Sequence, residues 1–235
     1  LYHQAENSRQ DKLALKDALS DISHQLKTPI TSMTMLTDIL LYREVPPGQQ
    51  RVFLERIQGQ LQRTQWLVTA LLNLSKFDAG AVQMDKRWVD CEELALTARE
   101  PLLALFDQRG VRFSLACEPG CGFQGDIRWM SEALGNILKN CAEHTPAGGT
   151  VSLSCRDNPL YTEFLVTDTG EGIDPVDLPH LFERFYRGRN AAPDSVGIGL
   201  AMAKTIIEKH GGLVDARNQP GGGALFSIRL YKGVI

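Results

Sequence analysis

A histidine near the N-terminus lies among polar residues in a segment that otherwise has the pattern of an amphipathic helix. His24 is preceded by Ser23 and followed by Gln25, and Thr28 lies four residues further on. An imidazole nitrogen can act near neutral pH as a nucleophile or as a proton carrier. Residues four apart face the same side of a helix, so we expect the Thr28 hydroxyl beside His24. The polar flanks favour an exposed, reactive histidine over the alternative of a histidine buried in a core.

A proline in the same segment is predicted to bend the helix. Pro29 has no N–H group, so the hydrogen bond to the carbonyl of Gln25 is missing. A bend beside His24 would let this helix take two arrangements.

Two asparagines one helical turn apart indicate a binding site for phosphate and metal. Asn136 and Asn140 lie in the helix-like segment 127–145. Asparagine is a poor residue for a helix interior, whereas its amide oxygen suits Mg²⁺ when phosphate oxygens complete the coordination shell. The alternative is a pair of surface asparagines without a ligand.

The segment DTGEGI (168–173) follows a strand pattern and has the composition of a ligand-binding turn. Asp168 provides an acceptor at the strand end, and Gly170 and Gly172 permit a close approach of the backbone or a positive φ. A tight turn without a ligand is the alternative.

A second glycine-rich segment, SVGIGLAMAK (195–204), is predicted to open a helix. Gly197 and Gly199 leave N–H groups free at the positive end of the helix dipole, which attracts phosphate. The preceding segment 181–195 has an aromatic start and a polar end with glycine and proline, so we predict a mobile lid. Its arginines would reach phosphate groups or form a solvated basic edge: Arg184, Arg187 and Arg189.

Apolar residues at heptad spacing predict the helices that position His24. The first seam runs from Leu15 to Leu40 with spacings of four and three residues, and a Pro-Pro-Gly turn follows it. A second apolar face runs from Phe53 to Leu74, and Gly80 fits a C-terminal cap. Two antiparallel helices alone leave both stripes uncovered, so we predict a homodimer whose hairpins form a four-helix bundle.

The remainder of the chain alternates between strand and helix patterns. The predicted strands are 87–90, 111–117, 150–157, 162–170 and 223–231. The predicted helices are 91–107, 127–145 and 196–212. This order predicts an α+β sandwich with helices on one face of a mixed sheet, following the helical hairpin.

Composition limits the classes of function. The 235 residues are 43% hydrophobic and carry a net charge of −3, which excludes attraction to nucleic acid or anionic lipid by bulk charge. Five cysteines in no regular framework indicate a reducing compartment. We expect them to be small residues in or beside strands, rather than half of a metal site at Cys117 and Cys121. No stretch has the roughly 18 apolar residues of a membrane span. Because the chain begins at Leu1 and not at a methionine, we expect a fragment, which leaves open a membrane segment upstream of it.

The five motifs, in this order, resemble the sensor histidine kinases of two-component signalling over nearly the whole chain. The resemblance implies a helical hairpin that forms a dimeric four-helix bundle, followed by an α+β sandwich of the gyrase, chaperone and histidine-kinase ATPase type. It implies dimerisation and histidine phosphotransfer in residues 1–80, a linker at 81–86 and a catalytic ATP-binding domain at 87–235.

The resemblance also implies a role for each matching residue. His24 corresponds to the phospho-acceptor, Gln25 is its neighbour, and Thr28 matches the phosphatase position of the family. Asn136 and Asn140 match the ligands of Mg²⁺. The residues implied to bind ATP are Asn136, Lys139, Asn140, His144, Asp168, Gly170, Gly172, Ile173, Phe182, Phe185, Arg187, Gly197, Gly199 and Leu200.

The implied activity is autophosphorylation from ATP, followed by transfer to an aspartate in the receiver domain of a response regulator and its dephosphorylation. Nucleic acid is not an implied partner. The implied location is cytoplasmic, as part of a bacterial sensor anchored in the inner or plasma membrane through a segment upstream of this chain.

Three positions depart from the pattern of the family. Gln25 replaces a carboxylate that accepts a proton, Glu143 replaces a basic residue for which Lys139 would substitute, and Ser195 replaces a glycine. They predict a changed rate and nucleotide affinity. The alternatives are an ATPase of the gyrase or chaperone kind, a phosphatase-dominant member, and a degenerate, non-catalytic dimeric scaffold.

Overall fold

The computed structural model describes residues 2–189, 191 and 195–233; in its first helix, side chains are described at residue 20 and from residue 22 onward. The chain divides into two compact units, Leu1–Asn73 and Leu74–Ile235.

The first unit is built from two long helices. Helix α1 spans Tyr2–Tyr42 and continues through Pro29, which is buried. Helix α2 spans Pro47–Asp78, so its residues from Leu74 onward belong to the second unit. It begins at a proline, a residue favoured in the first helical turn. Because Gly80 has a φ of 64° and Ala81 donates to the carbonyl of Lys76 at 2.9 Å, the predicted cap is confirmed.

Both helices of the first unit expose apolar side chains. Leu61, on the predicted apolar face of α2, is 56% exposed. Leu15 and Leu19, on the predicted seam of α1, have side chains outside the described part of the chain. The exposed large apolar residues of the hairpin are Ile30, Met35, Leu41, Tyr42, Val52, Leu54, Leu61, Val68 and Leu72.

The second unit contains a mixed sheet and a small separate one. The strands are β1 Arg87–Asp90, β2 Arg112–Cys117, β3 Gly122–Gly125, β4 Thr150–Asp157, β5 Tyr161–Asp168, β6 Gly212–Asn218 and β7 Ala224–Tyr231. The five-stranded sheet has the order β2-β4-β5-β7-β6, and β1 pairs with β3. Only the β2–β4 pair is parallel among the described strands, so the predicted mixed sheet is confirmed.

Helices of the second unit pack on this sheet. They are α3 Cys91–Arg99, α4 Leu103–Arg109, α5 Ile127–His144 and α6 Gly199–Lys209, with 3-10 turns at Glu100–Leu102 and Leu178–His180. Helix α5 contacts α3 and α6 and lies against β4 and β5. Side chains on β5 alternate strictly between buried and half-buried, which is the pattern of a strand with one face in the core.

Some predicted elements were wrong in extent. The single helix at 91–107 is two helices, because Pro101 lies in a 3-10 turn between them. The predicted helix 196–212 begins only at Gly199 and ends at Lys209, where Gly211 has a φ of 76°. Strands β3 and β6 were not predicted, because each lies directly beside glycines that read as turns.

Candidate functional site

His24 lies on the surface of α1 with Thr28 one turn away. His24 and Thr28 are exposed, and Gln25 is half-buried. The Thr28 hydroxyl donates a hydrogen bond to the carbonyl of His24 at 3.2 Å. Because a hydroxyl has one hydrogen and two lone pairs, Thr28 in this arrangement orients a water molecule only by accepting a hydrogen bond from it.

In the second unit, the end of β5 holds Asp168 in a fixed orientation. Asp168 is buried, and its Oδ1 accepts hydrogen bonds from the backbone N–H groups of Gly170 at 2.9 Å and Ala224 at 3.1 Å. The thiol of Cys141 also interacts with this carboxylate through a hydrogen bond. Burial, followed by the negative charge of Asp168, raises the pKa of the thiol. These hydrogen bonds fix the orientation of the Asp168 carboxylate, whose burial in the core would be unfavourable without them.

The turn after Asp168 requires its two glycines. A Cβ on Gly170 would lie 2.5 Å from the carbonyl oxygen of His144, so only glycine lets this turn lie against the end of α5. Gly172 has a φ of 82°, and a Cβ there would lie 2.7 Å from Oδ1 of Asn218. The sequence predicted both glycines but not the neighbours that demand them.

Residues at the end of β6 and just after it hold this turn, and sequence reasoning missed them. The Asn218 side chain accepts from the N–H of Ile173 and donates to its carbonyl, both at 2.7 Å. Gln219 Nε2 donates to the carbonyls of Asp168 at 3.0 Å and Ala224 at 3.1 Å. The segment NQPGGG (218–223) is an evident turn signal in the sequence, but nothing local relates it to Asp168.

The aromatic segment and the second glycine segment are joined by their backbones. Phe185 has a φ of 65°, unusual for a residue with a side chain, and its N–H donates to the carbonyl of Gly197 at 2.8 Å. A Cβ on Gly197 would lie 2.3 Å from the carbonyl oxygen of Tyr186. Phe182 stacks edge-on against Phe226 of β7, with ring centroids 6.4 Å apart.

Two of the three arginines proposed as phosphate contacts are held by carboxylates of the same unit. Arg184 makes two hydrogen bonds to Asp78, at 2.7 and 2.8 Å, which lower the pKa of Asp78. Arg189 donates from its backbone N–H to Asp177 at 3.0 Å, and its guanidinium lies 3.5 Å from Asp174. For Arg184 and Arg189, the alternative of a solvated basic edge therefore fits better than contact with phosphate.

The predicted lid lies only partly within the described residues. Arg187 is exposed, whereas Ser195 is half-buried. Residues 190 and 192–194 of the predicted lid lie outside the described residues. Tyr186 hydrogen-bonds to Asp177 at 2.7 Å, and this bond raises the pKa of the tyrosine and lowers that of the aspartate.

The start of α6 and the side chain of Asn136 together form an anion-binding arrangement. Helices α3 and α5 are capped by Asp90 and Asp126, but Ile198 at the start of α6 provides no side-chain cap, so the first N–H groups of α6 lack this partner. Asn136 lies here, since a Cβ on Gly199 would be 3.2 Å from its Oδ1.

The amide nitrogen of Asn136 has an unsatisfied hydrogen-bonding capacity. Its Nδ2 is buried and has no hydrogen-bond partner among the described residues. A buried donor without a partner requires a reason, and a phosphate oxygen at the start of α6 would supply the missing acceptor.

The remaining predicted residues lie further along α5 and at the start of α6. Asn140 is half-buried one turn beyond Asn136, and Leu200 is half-buried beside Gly199. Lys139 lies 3.8 Å from Glu143, so the acidic side chain at 143 has a cation beside it. His144 is exposed at the end of α5, and only its backbone is drawn into the turn after Asp168.

Comparison with known proteins accounts for both units. Residues 14–80 match the model of the His Kinase A (phospho-acceptor) domain. Residues 125–233 match the model of the histidine kinase-, DNA gyrase B-, and HSP90-like ATPase, so the site described above lies in an ATP-binding domain. Within the described residues, no helix has both the length and the apolar composition of a membrane span.

Individual relatives agree with these matches. The sensor protein SphS of Synechococcus elongatus is 35% identical over 225 residues, which cover 90% of this chain and 54% of that protein. The chain thus spans about half the length of this relative.

Two solved structures share the fold. The histidine kinase AdeS of Acinetobacter baumannii superposes with a TM-score of 0.75 at 22% identity, covering 90% of this chain and 98% of that chain. The histidine kinase ThkA, solved in complex with the response regulator protein TrrA, superposes with a TM-score of 0.76 at 19% identity, covering 98% of this chain and 66% of that chain. Because both domain models match in this order and the sensor protein SphS aligns over 90% of this chain, the chain belongs to the sensor histidine kinases of two-component systems.

Proposed function

We propose that this chain is an ATP-dependent protein histidine kinase that phosphorylates itself on His24. It then passes the phosphoryl group to an aspartate in the receiver domain of a response regulator. Thr28, one turn from His24, makes dephosphorylation of that regulator a second activity of the same surface.

One observation carries the proposal. Among the described residues, the Asn136 Nδ2 is a buried donor without a partner, and it lies against Gly199 at the start of a helix that has no side-chain cap. Both features are explained if the polyphosphate of ATP lies there, because its oxygens accept hydrogen bonds and its negative charge is favoured at a helix N-terminus.

The other residues of the site follow from this placement. Asp168, held by two backbone N–H groups, accepts a hydrogen bond from the amino group of adenine. Asn136 and Asn140 fit a hard cation, since they present amide oxygens one turn apart on α5. Mg²⁺ bound there neutralises negative charge on the phosphate oxygens.

We further propose that the remaining residues implied by the family resemblance contact ATP. They are Lys139, His144, Gly170, Gly172, Ile173, Phe182, Phe185, Arg187, Gly197, Gly199 and Leu200.

The reaction needs an unprotonated ring nitrogen on His24. That nitrogen forms a bond to the γ-phosphorus of ATP, the bond from this phosphorus to the bridging oxygen breaks, and ADP leaves. The proton on the other ring nitrogen then passes to water, because the amide of Gln25 cannot accept it. We therefore expect slower phosphorylation than with a carboxylate at position 25.

The assembly and location proposed for the chain follow the same family. We propose a homodimer through the hairpin, with residues 1–80 as the dimerisation and phosphotransfer domain, 81–86 as the linker and 87–235 as the catalytic domain. The chain acts in the cytoplasm as part of a sensor anchored in the membrane. Support comes from its relatives, which are sensor proteins about twice as long as the stretch that matches.

The test is autophosphorylation of the chain with γ-labelled ATP and Mg²⁺. We expect acid-labile label on the wild type and on His180→Gln, a control at another exposed histidine. Label should be lost in His24→Gln and in Asn140→Ala.

Other outcomes identify the alternatives. Label that persists in His24→Gln would reject His24 as the acceptor. Nucleotide binding without label would indicate a phosphatase-biased member, and absence of both would indicate a non-catalytic scaffold.

A further inference from the structure

Four of the five cysteines, dispersed in the sequence, meet in the core of the second unit. Cys91 begins α3 and Cys121 precedes β3, while Cys117 and Cys155 are paired across the parallel strands β2 and β4. We call these four residues the cysteine cluster. Cys91, Cys121 and Cys155 are at most 2% exposed, whereas Cys117 is half-buried. The cluster therefore reaches from the edge of the core to its interior.

Cys91 and Cys121 occupy the next position in the β1–β3 ladder. The last pair of the ladder is Asp90 with Gly122, and the N–H of Cys91 donates to the carbonyl of Cys121 at 3.0 Å. Their Sγ atoms are 3.1 Å apart. Opposed residues in an antiparallel pair have Cα atoms roughly 4.5–5.5 Å apart, within the range that a disulfide spans.

The remaining thiols extend this contact toward the surface. Cys155 lies beside Cys117 in the register of β2 and β4, and its thiol interacts with those of Cys91 and Cys117. The four thiols are thus arranged in the order Cys117, Cys155, Cys91, Cys121. In the described part of the chain, no three histidine, cysteine or acidic side chains are placed to hold one metal ion. A row of thiols suits disulfide exchange better than metal binding.

The pKa values of the clustered thiols are shifted in different directions, and only one thiol is made easier to ionise. Hydrogen bonds from Cys91 and then Cys117 lower the pKa of the Cys155 thiol. Burial raises the pKa of Cys117, and the hydrogen bond with Cys155 followed by burial raises that of Cys91. Because the thiolate is the reactive form, Cys155 is the thiol of the row that ionises first.

We propose that the cysteine cluster is an oxidation site in which a hydroperoxide oxidises Cys117 and exchange along the row leaves a disulfide between Cys91 and Cys121. The inference does not depend on the proposed function.

Each step of this sequence balances. The Cys117 sulfur bonds to one peroxide oxygen, the O–O bond breaks and water leaves, so Cys117 becomes a sulfenic acid. The Cys155 thiolate then attacks that sulfur, and the oxygen leaves as a second molecule of water. The Cys91 sulfur then bonds to that of Cys155 and displaces Cys117, which takes up the proton of Cys91. In the same way Cys121 bonds to Cys91 and displaces Cys155, which takes up the proton of Cys121. In total, two thiols lose two hydrogens and one hydrogen peroxide becomes two waters.

The test follows the disulfides of the full chain during oxidation. The reduced protein is treated with hydrogen peroxide, its remaining thiols are alkylated at set times, and peptides are mapped by mass spectrometry. We expect a Cys91–Cys121 disulfide that dithiothreitol reverses. In Cys117→Ser, whose side chain is half-buried, the disulfide should form roughly tenfold more slowly or not at all, because the entry thiol is missing.

A matched control removes the fifth cysteine. Cys141 is buried on α5 and its thiol bonds to Asp168, so Cys141→Ser should form the Cys91–Cys121 disulfide at the rate of the wild type. Far-ultraviolet circular dichroism checks that each variant is folded. A chain in which peroxide never joins Cys91 to Cys121 would overturn the site, and an unchanged rate in Cys117→Ser would overturn the entry through Cys117.

Discussion

Two asparagines of the second unit differ in whether their side-chain amides already have hydrogen-bond partners in the folded chain. Asn158 in the β4–β5 turn accepts hydrogen bonds from the N–H groups of Leu160 at 2.9 Å and Tyr161 at 3.0 Å. Asn136 has a buried Nδ2 without a partner in the described residues. A side chain with satisfied bonds supports the fold, whereas one with an unsatisfied donor is available to a ligand.

Replacement of each by alanine should therefore affect different quantities. We expect Asn136→Ala to weaken ATP binding by roughly 10- to 100-fold, as for a lost hydrogen bond to a charged group, and to change the free energy of unfolding by less than about 0.5 kcal/mol. Asn158→Ala should lower the free energy of unfolding by about 1 kcal/mol with unchanged affinity. Calorimetric titration and urea denaturation measure the two quantities. Loss of stability without loss of affinity in Asn136→Ala would contradict a phosphate site at this amide.

At the scale of the elements, turns and caps hold the site together. The junction before α6 is closely packed, because the backbone of Gly197 meets that of Phe185 and Tyr186. Gly211, after α6, has nearly the same φ, 76° against 73°, but nothing lies within 4 Å of the position of a Cβ.

Alanine at these two glycines separates backbone conformation from close packing. Gly211→Ala should lower the free energy of unfolding by about 1–2 kcal/mol, the penalty of a left-handed residue. Gly197→Ala should lower it by roughly 2–4 kcal/mol and also weaken ATP binding, because the aromatic segment must move as well. Denaturation in urea and nucleotide titration measure these effects. Equal losses of stability in the two variants would refute the importance of the contact with Tyr186.

His210 joins the end of α6 to the start of α5. Its Nδ1 donates to the carbonyl of Ile206 at 2.8 Å and its Nε2 accepts from the N–H of Asp126 at 3.1 Å, so the buried ring is neutral. Burial lowers the pKa of His210 below its ordinary value of 6.5.

The stability of this junction should depend on pH in one direction. As pH falls below about 6.5, the unfolded chain binds the proton before the folded chain does. The stabilisation from neutral His210 is thus complete above that pH and decreases toward the lowered pKa. Urea denaturation at about pH 7.5 and about pH 5.5 should show this loss in the wild type and in His180→Gln, an exposed control. In His210→Gln, this loss of unfolding free energy at the lower pH should be smaller. A loss as large as in the wild type would exclude His210 as the cause of the pH dependence.

For the whole molecule, the first unit leaves apolar side chains uncovered on both of its helices. Leu61 of α2 is 56% exposed and Leu160 of the β4–β5 turn is 70% exposed. Isolated exposed leucines are ordinary, but an apolar stripe along two long helices is typical of a bundle interface.

Lysine at Leu61 should therefore disrupt the proposed dimer. We expect the wild type and Leu160→Lys to sediment as dimers, and Leu61→Lys to dissociate at concentrations at least roughly tenfold higher than the wild type. Analytical ultracentrifugation over a range of concentrations measures this difference. A monomeric wild type, or a Leu61→Lys variant as tightly associated as Leu160→Lys, would refute the interface.

The sequence by itself determined the helical hairpin, five of the seven described strands, the mixed sheet and the identity of the motifs. These properties follow from local spacing, because heptads, alternating strand patterns and paired glycines can each be recognised within a short stretch of sequence. For that reason Asn136, Asp168 and Gly197 were identifiable as candidates before any contact was known.

Only the tertiary structure decided which of these residues meet. Asn218 lies 45 residues beyond Ile173, and Arg184 lies 106 beyond Asp78; no local period relates such positions. The parallel register of β2 and β4 pairs Cys117 with Cys155, and the β1–β3 ladder brings Cys91 to Cys121, so cysteines that had no framework in the sequence form a cluster. Strand pairing is chosen by the packing of the whole sheet, and local propensity does not record that choice.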